Sequence, residues 1–64
     1  MDTQTARNRI TELAKEYPLD IRGNPAIIKR ILLEDYPETN AKYWENQIYR
    51  YKKRMEVNGA DVYD

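Results

Sequence analysis

Residues 41–55 read AKYWENQIYRYKKRM, and their spacing decides the fold. Ala41, Trp44, Ile48, Tyr51 and Met55 recur at intervals of three, four, three and four. That is the period of one face of an α-helix, and it predicts a helix of about 16 to 18 residues. Thr39 or Asn40 supplies a side-chain oxygen to cap its first turn. Asn58-Gly59 is a terminator of the usual kind, which sets the helix at about 40–58.

Two proline-containing breaks separate this segment from two others upstream. The first runs from about Thr3 to Glu16, with Asp2 or Thr3 as cap. Its apolar residues Ala6, Ile10, Leu13, Ala14 and Tyr17 share one narrow face. Pro18 ends it, because the residue before a proline avoids the α region. The second segment runs from about Pro25 to Asp35 and starts at Asn24-Pro25, a cap followed by a residue that needs no N–H. Ile27, Ile28, Ile31 and Leu32 form its broad apolar face, with Leu33 and Ala26 off that face; Tyr36-Pro37 closes it. The stretch between, Pro18–Asn24, reads as a loop. Leu19 and Ile21 are expected to plug it from below, and Gly23 to take a positive φ.

No run alternates apolar and polar residues as a strand does. Three helices with one apolar face each must bury those faces together. The expected fold is all-α, a three-helix bundle over residues 1–58, with an acidic and flexible tail at 59–64. The second helix, a turn of about four residues and the longer third helix have helix-turn-helix spacing.

Composition narrows the chemistry. With 64 residues the chain is one domain at most, and a core of that size is marginal unless it is stapled or oligomerises. Cysteine and histidine are absent, so neither a disulfide nor an ordinary zinc site is expected. Serine is missing as well, which removes the common nucleophile–base pairs. No glycine-rich phosphate loop is present. Glu34 and Asp35 diverge by about 100° on a helix, a poor acid–base pair. The expectation is a binding module with no catalysis, metal or cofactor. No apolar run approaches the roughly 20 residues of a membrane span, and residues 1–5 lack the basic and apolar regions of a signal peptide. The expected location is the cytoplasm.

Net charge is zero, but its distribution is uneven. Residues 41–55 hold Lys42, Arg50, Lys52, Lys53 and Arg54 against one acid, Glu45, whereas residues 56–64 hold Glu56, Asp61 and Asp64 and no base. On a helical wheel, Lys42, Asn46, Tyr49, Arg50 and Lys53 fall opposite the apolar stripe. Arg54, Tyr43 and Gln47 flank one side of them, and Lys52, Glu45 and Glu56 the other. Arg and Asn can grip base edges bidentately, while Lys, Arg and Tyr can hold phosphates. Lys42, Asn46, Tyr49, Arg50, Lys53 and Arg54 are therefore the candidate contacts to double-stranded DNA, with Asn40, Ala41 and Lys42 entering the major groove first. A solvated helix face would show the same residue types, and bases also gather at helix C-termini because they complement the dipole. The second reading is a protein-partner or homodimer surface built on Leu33, Tyr36 and Tyr43, residue types that anchor interfaces.

Overall fold

The computed structural model describes residues 1–58. Among them the fold is all-α, with four helices and no strand: α1 Thr3–Glu16, α2 Asp20–Gly23, α3 Pro25–Asp35 and α4 Ala41–Asn58. The tail expected at 59–64 lies outside the described residues.

Helix α1 begins where its cap requires. The Asp2 carboxylate accepts the Thr5 N–H at 2.7 Å, satisfying one of the first-turn donors that have no helical partner. The same bond holds the Asp2 carboxyl below its ordinary value. Ala6, Ile10, Leu13 and Ala14 are buried. Tyr17, expected on that face, is exposed. Its backbone has already left the helix, so the face does not extend to it.

The stretch expected to be a loop contains α2. Its one turn buries Ile21 under the body, but Leu19 is 84% exposed and plugs nothing. Gly23 does not take a positive φ; it is the last residue of α2. Asn24 precedes α3 as expected but makes no side-chain cap. Its carbonyl instead accepts the Ile27 N–H at 3.2 Å.

In α3, Ile28 and Leu32 are fully buried. Ile31 also packs on the core, as expected of that face, but two residues depart from the expected setting. Leu33 packs against the core, while Ile27 and Ala26 are exposed. Ile27 and Leu33 stand about 120° to either side of the Ile28–Leu32 line; cover reaches Leu33 on one side and Ile31 but not Ile27 on the other.

The turn from α3 to α4 is built around Trp44. The Thr39 hydroxyl donates to the Tyr36 carbonyl at 2.7 Å and accepts the Trp44 indole N–H at 2.6 Å. Tyr36 and Tyr43 pack on the indole, with ring centroids at 5.8 and 5.0 Å. Asn40 caps α4, its side-chain oxygen accepting the Tyr43 N–H at 2.8 Å. Trp44 and Ile48 are buried, and so is Gln47. Farther along α4 the cover thins: Tyr51 is half-buried and Met55 is 44% exposed. Two ion pairs tie elements together, Arg9 to Asp35 at 2.8 Å and Lys29 to Glu45 at 2.9 Å. No described helix is long and apolar enough to cross a membrane.

Candidate nucleic-acid interface

Burial of Trp44 and Ile48 fixes the rotation of α4, and that rotation decides which polar side chains face outward. Lys42, Asn46, Tyr49, Arg50 and Lys53 are all exposed. Steps of four, three, one and three along a helix keep them within about 100° of arc, so they form one continuous strip. Lys53 Nζ lies 5.7 Å from the Tyr49 ring centroid. It also approaches Glu56 at 3.7 Å, a contact between two exposed groups that adds little in water.

Arg54 does not join the strip. It is half-buried, with its guanidinium 5.9 Å from the Tyr51 ring centroid. Tyr43 and Gln47 share its flank and also turn inward, Gln47 to 6% exposure. Gln47 was expected beside the reading face; burial removes it from there. At the start of α4, Asn40 uses its side-chain oxygen as the cap and Ala41 is half-buried. Lys42 is the first side chain of this helix free to reach outward.

The other flank holds what sequence reasoning missed. Glu45, the one acid between residues 41 and 55, is drawn to Lys29 of α3. This hydrogen bond holds the Glu45 carboxyl below its ordinary value and leaves its charge matched by a base outside α4. Pro25, Ala26, Ile48 and Tyr49 line a neighbouring hollow of about 330 Å³, so the start of α3 and the outer face of α4 form one surface. Lys29 and Glu45 are sixteen positions apart, and no periodicity within either segment pairs them.

The partner-surface residues are placed differently. Leu33, Tyr36 and Tyr43 are each half-buried and packed against the core, so much of their apolar surface is already covered from within. Compared with known proteins, the chain matches no family model, no curated protein and no solved structure.

Proposed function

We propose that the protein is a small non-catalytic DNA-binding module of helix-turn-helix type that reads the major groove with α4. The observation that carries this reading is the exposed strip of Lys42, Asn46, Tyr49, Arg50 and Lys53, with the neighbouring Glu45 paired to Lys29 of α3. Arg50 and Asn46 supply bidentate groups for base edges. Lys42, Lys53 and the Tyr49 hydroxyl supply phosphate contacts that fix register. α3, the five residues of the turn and α4 have the element lengths of the motif. Zero net charge keeps non-specific affinity low, so the strip must carry the binding.

The test is titration of the full chain into duplex DNA at several salt concentrations. Affinity should fall steeply with salt. Lys53→Ala should weaken binding to all duplexes similarly and reduce the salt slope by about one. Arg50→Ala should cost about 1–3 kcal/mol on a preferred sequence, with helical content unchanged in both variants. A flat titration against mixed-sequence duplex at low salt would refute the reading.

A further inference from the structure

The apolar stripe of α4 outruns the helices that cover it. Where α1 ends and α2 begins, Ala14, Pro18 and Ile21 face Tyr51 and Met55 across a groove of about 270 Å³. Beside it stands Leu19, the most exposed large hydrophobic residue described. Of the six exposed large hydrophobic residues among those described, Met55 lines the groove, and Tyr17 and Leu19 flank its lining residue Pro18 in the chain. Exposed apolar residues thus stand at or next in sequence to one groove, whereas singly scattered ones would need no explanation.

We propose that this end is a two-fold interface between copies of the chain, with Leu19 of each copy seated in the groove of the other. An isologous contact needs one patch that carries both a projection and a receptor for it; Leu19 and the groove are such a pair. The charges match in the same sense. Leu19 is flanked by Glu16 and Asp20, while Arg22 and Lys52 line the groove rim. One acid, Glu56, also lines the groove, so the rim's two bases outnumber its acid by one. At about 270 Å³ the groove has room for one apolar side chain. A need for the contact is present too. Among the described residues the core has nine buried hydrophobic ones, and oligomerisation is one of the few routes by which so small a domain gains stability.

This interface does not rest on the DNA reading. Tyr51 and Met55 lie about 180° around α4 from the strip of Lys42, Asn46, Tyr49, Arg50 and Lys53, so the dimer leaves that strip open.

Sedimentation equilibrium of the full chain from micromolar to millimolar concentration should show monomer converting to dimer. Leu19→Glu, at an exposed position, should raise the dimer dissociation constant at least about tenfold without changing helical content. The chain lacks cysteine, which permits a direct check of the pairing. A Leu19→Cys chain mixed with a Met55→Cys chain under oxidation should give the mixed disulfide above the share expected of random pairing. A monomer at every concentration would overturn the proposal, as would a dimer indifferent to Leu19→Glu. Concentration-independent contacts within one chain from the Met55 methyl to Val62 or Tyr63 would also overturn it, since the chain's own residues would then fill the groove. Arg50→Ala, which tests DNA binding, should leave the dimer constant unchanged, so either reading can fail alone.

Discussion

At the scale of single residues, Trp44 sets the sharpest requirement. Its ring fills the junction of α3 and α4 at zero exposure, and its indole N–H must find an acceptor there, because an unpaired buried donor is costly. Thr39 supplies the acceptor, and its own O–H donates a hydrogen bond to the Tyr36 carbonyl. One hydroxyl therefore fixes both the tryptophan and the turn. Thr39→Val keeps the shape but orphans the indole N–H, and should cost about 1–3 kcal/mol. Thr39→Ser, which keeps the hydroxyl, should cost much less. Urea midpoints at constant slope check the order. Equal losses for Val and Ser would show that the methyl group, not the hydrogen bond, holds the turn.

At the scale of elements, α1 and α3 have the expected ends, set by the Asp2 cap and by the prolines because those signals act within one turn of chain, although Asn24 makes no side-chain cap. The short helix α2 was not legible. Four residues contain no period, and it exists because packing of Ile21 under the body favours one turn of helix there. The same fact corrects Gly23. Expected to need a positive φ, it is helical, and a Cβ built on it meets nothing within 4 Å. Gly23→Ala should therefore stabilise the protein by about 0.4–1 kcal/mol, chiefly by restricting the unfolded chain. Thermal unfolding measures it, and destabilisation would mean that the backbone there is not helical. In α4 the stripe was legible from spacing, as was the strip opposite it. The inward turn of Gln47 and Arg54 was not, because a wheel gives directions but not how much of the circumference the neighbours cover. Leu33 and Ile27 exchanged expected roles for that reason as well.

For the molecule as a whole, a small core leaves the ion pairs between elements with a visible part in stability, and Lys29–Glu45 allows that part to be isolated by pH. Glu45 has its carboxyl lowered by the Lys29 hydrogen bond, then by the Lys29 charge. A carboxyl lowered in the fold favours folding when ionised. Its contribution is complete above the ordinary value of 4.5 and is lost as pH falls through the lower, folded value. Glu45→Gln should therefore be less stable than the parent chain near neutral pH, and the difference should shrink as pH falls below the ordinary carboxyl range. The difference should be small, and smaller still in high salt, because both partners touch solvent. A difference that persists unchanged in acid would assign the effect to packing instead. The same variant separates stability from binding: loss of a negative charge beside the strip should tighten the hold on duplex DNA even as the fold weakens. Lys29→Met breaks the same ion pair but leaves Glu45 unmatched, so it should weaken both. If Glu45→Gln and Lys29→Met changed DNA affinity in the same direction, charge balance along α4 would not govern binding, and the strip would lose its claim as the contact surface.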